Sequence, residues 1–196
     1  MDGLGELALV SLGSNAPGGK IAAASLVLKG RAGIAEIPGI TQIVMSDLFD
    51  TPAYPPGIGP DFVNAAMAFR TTLSAGALLD ALHRIEAEAA RTRTVRWGQR
   101  TLDLDLLALG DQVAPDAATQ TRWRDLAPQD QRQEAPDRLI LPHPRLQDRA
   151  FVLVPLAQVA PGWVHPLTGR SVVQMRDTLP RAEVAAVRVR DRAKGT

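Results

Sequence analysis

The stretch "RTLDLDLLALG", Arg100 to Gly110, sets Asp103 and Asp105 among Leu102, Leu104 and Leu106 at strict period two. That is the side-chain repeat of a β-strand, so the leucines take one face and both carboxylates the other, with their Cα atoms roughly 7 Å apart. Aspartate is depleted in strands, and two anions side by side repel. On spacing alone two readings stand. One is a half-exposed strand with an acidic outer face. The other is a pair of hard oxygen ligands for Mg²⁺, an ion that keeps several waters and takes further oxygens from a phosphate substrate.

The residues just upstream bear on that choice. Arg91, Arg93, Arg96 and Arg100, with Trp97 and Gly98, form an arginine-rich segment with weak helix or strand signal. Guanidinium groups grip phosphate oxygens bidentately and keep their charge at any working pH. An arginine loop beside a carboxylate pair suits one polyphosphate ligand that carries Mg²⁺, although a solvated basic turn explains the arginines taken by themselves. No Walker-type glycine-rich loop is present, and "NAPGGK" is not one, so phosphate must be held by side chains and metal.

Working outward, "LALVSLGSN" (Leu7–Asn15) reads as a short buried strand ending in a Gly-Ser-Asn turn. "GGKIAAASLVLKGRAGIAEI" has helical composition, with Gly30 and Gly33 expected to fray its end. Thr41–Thr51 is a second strand, "AYPPGIGP" an irregular loop, and "DFVNAAMAFRTTL" a third strand. The clearest helix follows: Ser74 is its N-cap, and Leu78, Leu82, Ile85 and Ala89 make one apolar face. With the acidic strand the order is β-α-β-β-α-β. That order predicts an α+β, ferredoxin-like antiparallel sheet with helices packed on one face, followed by C-terminal additions.

The chain of 196 residues is expected to form a single domain spanning 1–196. Residues 114–137 are polar and proline-punctuated and read as an insertion, with one short helix from Pro128 to Glu134; the basic tail is expected to be loose. Apolar residues make up 45%, charged residues 22%, and the net charge is +1, which argues against a protein that coats nucleic acid. The absence of cysteine excludes disulfides and thiolate metal sites and fits a cytoplasmic setting. No basic signal segment opens the chain, and its longest strongly apolar run, "AFVLVPLAQVA", is too short to span a bilayer, so neither a membrane nor a nucleic-acid partner is expected.

Taken together, "SLGSN", "FDTPAYPPGIGPDFVNAAMAF", "RIEAEAARTRTVRWGQRTLDLDLLALG" and "DRLILPHPRLQDRAFVLVPLAQVAP" resemble the 6-hydroxymethyl-7,8-dihydropterin pyrophosphokinases of folate biosynthesis from Leu7 to about His165. The resemblance implies the ferredoxin-like core and a monomer. It also implies transfer of the β,γ-diphosphate of ATP to the hydroxymethyl oxygen of 6-hydroxymethyl-7,8-dihydropterin, with release of AMP. Asp103 and Asp105 correspond to the carboxylates that bind two Mg²⁺ ions, with Asp105 a candidate proton acceptor. Arg91 and Arg100 correspond to catalytic-loop arginines, and Arg93, Arg96 and Trp97 to loop residues that close over the substrates. Glu86, Arg138, His143 and Arg149 fall at site-lining or ATP-contacting positions. Phe62 and Phe151 correspond to the aromatics that stack on the pterin, Asn64 to the residue that reads its amide edge, and Thr51, Pro52 and Tyr54 to the loop completing that edge. His83 and His165 have no such context and read as structural. The sequence departs from the family's usual pattern at Gln99, Phe62, Ala90, Ile140 and Pro144, none of which is a metal ligand or catalytic-loop arginine.

Two other readings are weighed on the same residues. A nucleotidyltransferase also combines Gly-Ser with D-x-D, but there the two lie close together, whereas Ser14 and Asp103 are far apart in this chain. A nucleic-acid-binding module could use the arginine loop and Trp97, but the two aspartates would repel a phosphate backbone lacking metal.

Overall fold

The computed structural model describes residues 5–53, 59–91, 102–127, 130 and 134–191. Its strands and helices run β1 (Glu6–Ser14), α1 (Gly19–Ala35), β2 (Ile40–Met45), β3 (Phe49–Thr51), β4 (Phe62–Thr71), α2 (Ala75–Arg91), β5 (Asp103–Leu109), α3 (Ala117–Arg124), α4 (Ala150–Val159), α5 (Val172–Thr178), α6 (Arg181–Ala186) and β6 (Arg188–Val189). The six described strands form one sheet in the order β5-β1-β4-β3-β6, with β2 on β4 as well, and every pairing is antiparallel. This is the expected ferredoxin-like core.

The second strand is broken into two. β2 and β3 pair with successive parts of β4, and between them the Ala66 amide donates to the Ser46 hydroxyl at 3.0 Å while the Ser46 amide donates to the Ala66 carbonyl at 2.9 Å. A side-chain oxygen thus replaces one ladder carbonyl and lets the edge bend. Gly13 and Ser14 lie inside β1, not in a turn after it.

Ala8, Val10 and Leu12 of β1, Val63, Ala65, Met67 and Phe69 of β4, and Leu104, Leu106 and Leu109 of β5 pack with α1 and α2 in one cluster. The α2 side of it follows the sequence pattern: Leu78 and Leu82 are fully buried, Ile85 and Ala89 pack against them, and the Ser74 hydroxyl accepts the Ala77 amide at 3.3 Å. Gly30 and Gly33 do not fray α1. A Cβ on Gly30 would sit 3.2 Å from the Leu102 methyls, and one on Gly33 would sit 3.1 Å from Ile85, so both glycines let α1 close onto the strand and helix it covers.

Helices also cover the opposite face, where the sequence led us to expect them on one face alone. Leu9, Ala66, Ala68 and Leu107 pack there against Val152, Leu153 and Leu156 of α4 and Val172 and Met175 of α5. A sheet buried on both sides explains why β1 and β4 are nearly continuously apolar instead of alternating. β5 reaches both clusters because its register shifts opposite Leu9 and Val10, leaving Leu107 as an extra residue in a bulge.

The expected Pro128–Glu134 helix lies largely outside the described residues, and within 114–137 a further helix that the sequence did not single out runs over Ala117–Arg124. Asp116 decides its start, accepting from the Thr119 amide and hydroxyl at 2.8 Å each. No helix among the described residues is long and apolar enough to cross a membrane.

His165 is fully buried near the Trp163 ring, 5.9 Å away edge-on. Its Nδ1 accepts the Leu167 amide at 3.2 Å, so Nε2 carries the ring proton. Burial first, then the Arg124 charge, push its pKa down to about 4 from the usual 6.5. The folded chain therefore resists a proton that the unfolded chain accepts from about pH 6.5 downward. The stability contributed by the neutral ring is complete above that pH and is lost as pH falls towards 4. Urea unfolding should show the wild type losing roughly 2 kcal/mol through this group between pH 7 and pH 5, and His165→Asn should flatten that slope; an unchanged slope would reject the assignment.

Candidate active site

Parity along the strands decides which side chains share a surface. Leu104 and Leu106 belong to the α1/α2 cluster, so Asp103 and Asp105 point to the α4 side of the sheet. Asp103 lies opposite Gly13 and Asp105 opposite Ser11; Gly13 in turn lies opposite Asn64, and Asn64 opposite Phe49. Phe62 and Thr51 face the same way, two residues along from Asn64 and Phe49. One row of cross-strand neighbours therefore carries carboxylates at the β5 edge and an amide about 10 Å away on β4.

β5 is held at that edge by more than its pairing with β1. The Leu104 amide, between the two aspartates, donates to Glu86 Oε1 of α2 at 2.8 Å, and Leu102, Leu104 and Leu106 are each 3% exposed. Glu86 thus anchors the backbone that carries the carboxylates. Asp103 and Asp105 are half-buried, and the Ser11 hydroxyl lies 3.4 Å from Asp105 Oδ2 as a donor. Among the described residues no group of three or more His, Cys, Asp or Glu could hold a metal by itself. Two hard carboxylates alone fit an ion such as Mg²⁺ that completes its shell with water and phosphate oxygens, and they do not fit a fully protein-ligated metal.

At the other end of the row Asn64 is 6% exposed and donates through Nδ2 to Thr51 Oγ1 at 2.6 Å. A Cβ on Gly13 would sit 2.6 Å from Asn64 Oδ1. Gly13 is therefore the vacancy into which the amide fits, a role the sequence did not reveal because a glycine near a strand end reads first as a turn. Thr51 is buried, Pro52 exposed and Phe62 half-buried.

Segment 141–151 closes the carboxylate end. The bulged Leu107 turns its carbonyl out to accept the His143 amide at 2.8 Å, and the Leu146 amide donates to the His143 carbonyl at 3.0 Å. His143 Nδ1 accepts the Arg145 amide at 3.0 Å, which leaves Nε2 with the proton as a donor. Burial, then Arg149 and Arg145, push the His143 pKa down to about 3, with nearby Asp103 opposing them. The ring is neutral at neutral pH. Arg149 caps α4 and lies 5.6 Å over the Phe151 ring; Phe151, half-buried, packs on the α4-side cluster. Arg145 stands beside these groups with its side chain 14% exposed and Asp148 at 3.5 Å, a cation that no sequence motif singled out. Arg138 projects outward in an ion pair with Asp137 at 2.9 Å, its side chain 62% exposed. Tyr54, Arg93, Arg96, Trp97 and Arg100 lie outside the described residues, and of Arg91, the last residue of α2, only the backbone is described.

The family model for 7,8-dihydro-6-hydroxymethylpterin-pyrophosphokinase (HPPK) matches residues 9–161. The chain belongs to the HPPK family. Two bacterial relatives carry the name 2-amino-4-hydroxy-6-hydroxymethyldihydropteridine pyrophosphokinase. The Synechocystis sp. protein is 37% identical over 144 residues, 74% of this chain and 63% of the relative. The Pseudomonas aeruginosa protein is 38% identical over 144 residues, 74% of this chain and 76% of the relative. Among solved structures, wild-type Plasmodium falciparum HPPK-DHPS matches with a TM-score of 0.58 at 14% identity, over 88% of this chain and 44% of that one. At that identity it supports the HPPK fold alone. This chain spans 63% of the Synechocystis relative's length and under half of the Plasmodium protein's.

The Gly13–Asn64 fit generates a test of packing. Gly13→Ala should cost about 1–3 kcal/mol in urea unfolding, because the buried Asn64 amide must leave Thr51. Adding Asn64→Ala should recover part of that loss by removing the clash, so a purely additive double variant would show that the two residues do not meet as described.

Proposed function

We propose that this chain transfers the β,γ-diphosphate of ATP to the hydroxymethyl group of 6-hydroxymethyl-7,8-dihydropterin, releasing AMP. The single observation that carries the reading beyond family membership is the cross-strand row. Paired carboxylates at its β5 end and the Thr51-bound Asn64 amide at its β4 end share one face of the sheet. The hydroxymethyl oxygen attacks the β-phosphorus and gives up its proton, for which Asp105 is the candidate acceptor; the bond from that phosphorus to the oxygen bridging it to the α-phosphate breaks, and AMP departs with that oxygen.

In this reading Asp103 and Asp105 hold two Mg²⁺ ions. Bound there, Mg²⁺ supplies charge neutralisation of the phosphate chain and a lowered pKa for the attacking hydroxyl. The chain's own groups do the positioning. Asn64 and Thr51 take the polar edge of the pterin, Pro52 and Tyr54 complete the loop beside it, and Phe62 and Phe151 supply flat apolar faces. His143 offers Nε2–H, and Arg149 a fixed positive charge, to the nucleotide on the Asp103 side. Arg138 meets the nucleotide from the outside, and Glu86 acts by holding the β5 backbone. Arg91 and Arg100 balance charge on the moving diphosphate, while Arg93, Arg96 and Trp97 close over the substrates and exclude water. The reading also takes the chain as one cytoplasmic, monomeric domain in which 114–137 is an insertion. The Ala114–Leu141 bridge, closing the base of that excursion with bonds of 2.9 and 3.1 Å, supports this.

Incubation with ATP, Mg²⁺ and the reduced hydroxymethylpterin should yield AMP and the pterin diphosphate; ADP or free pyrophosphate as the main product would reject the assignment. Asp103→Asn and Asp105→Asn should each lower turnover by about a thousandfold or more with folding stability kept, because ligation is lost while like-charge repulsion is relieved. Near-normal turnover of either variant in Mg²⁺ would remove the metal reading. Arg100→Ala should depress the chemical step in single-turnover kinetics more than it weakens ATP binding, and equal rates would deny Arg100 its role.

A further inference from the structure

The helix α3 belongs to the excursion 114–137, and Gln120 is its one buried residue, fully shielded from solvent. A primary amide held inside protein is costly unless bonded. Gln120 Nε2 lies 3.1 Å from the carbonyl oxygen of Pro142. A carbonyl only accepts, so the nitrogen must be the atom facing it, and the amide orientation follows from chemistry. Among the described residues Gln120 Oε1 has no partner, so the Pro142 bond is what this buried side chain secures.

Pro142 immediately precedes His143. The peptide joining them offers two polar groups, the Pro142 carbonyl and the His143 N–H, and Gln120 ties the first. The next two backbone groups are tied as well: the His143 amide to Leu107 and its carbonyl to the Leu146 amide. The ring is then oriented by the Arg145 amide on Nδ1. Three elements thus meet on the Pro142–His143 pair: α3 through Gln120, β5 through the Leu107 bulge, and the turn leading into α4.

We propose that Gln120 is a positioning residue for His143: by holding the Pro142 carbonyl it fixes the peptide from which the imidazole projects, so that Nε2–H is presented to the nucleotide beside Asp103. The excursion is then a buttress of the ATP side of the site, and not an inert surface loop. This rests on the reading of His143 as an ATP contact.

The test uses the full chain and Gln120→Met, which keeps the buried volume and removes the donor. Affinity for a non-hydrolysable ATP analogue with Mg²⁺ should fall about fivefold, the factor one neutral hydrogen bond is worth. KM for ATP should rise in step, with kcat and KM for the pterin within about twofold. The two ¹⁵N signals of the His143 imidazole, distinct while Nε2 holds the proton, should broaden or move together. In a His143→Ala background Gln120→Met should add no further loss of analogue affinity. Unchanged affinity together with unchanged imidazole signals overturns the proposal. So does an equal rise in both KM values alongside a lowered Tm, which is the mark of a merely structural residue. A further loss in the double variant beside a weakened His143→Ala overturns the Gln120 coupling alone. An unchanged affinity in His143→Ala by itself overturns the ATP-contact reading, and the proposal with it.

Discussion

Two carboxylates on one face of an edge strand push each other apart, and a strand at an edge has a neighbour on one side only. The site depends on that strand staying in place. β5 is held by its ladder to β1, by three leucines driven into the α1/α2 cluster, and by Glu86, which takes the outward-pointing Leu104 amide between the two aspartates. The hydrophobic face thus supplies the force, and the α2 carboxylate satisfies the backbone group that the edge would leave to water. A cation held between the carboxylates would convert their repulsion into attraction, which is the physical basis of the proposed metal role.

A second constraint is the bulge at Leu107. An extra residue in β5 lets the strand feed one cluster with Leu104 and Leu106 and the other with Leu107, and it frees the Leu107 carbonyl for His143. The irregularity therefore packs α4 and places a neutral donor beside Asp103 at once. On the opposite side of the row, a missing side chain at Gly13 lets the Asn64 amide lie over β1 and reach Thr51. The face between these two features is polar where the α4-side cluster is apolar, which is what marks it as the candidate site.

Period two identified β5 and the face its aspartates share, and period three to four identified α2, because both are properties of neighbouring residues that no distant contact can alter. The break between β2 and β3 escaped that reading because it depends on the Ser46 hydroxyl meeting Ala66, twenty positions away. Gly30 and Gly33 depart from their local propensity for a related reason. A glycine's local effect is to loosen a helix, and the contrary benefit of close approach to Leu102 and Ile85 exists once the fold has formed. The cover on both faces was hinted at by the unbroken apolar runs of β1 and β4, but a short buried strand looks alike whether one layer or two lies over it.

The sequence by itself determined which candidate groups the chain carries: the residue types and spacing of a carboxylate pair, an arginine segment and an Asn-bearing strand are written in it, inside the residues 9–161 that match the HPPK family model. Tertiary structure decided which of those groups share a surface and in what state. His143 is neutral because burial and two arginines surround it, Glu86 serves a backbone amide, and Gln120 reaches Pro142 across twenty-two positions. Strand parity is local and survives without a fold. Desolvation, fields from other segments and the room left by a missing Cβ are sums over the whole packed molecule, and no single segment contains them.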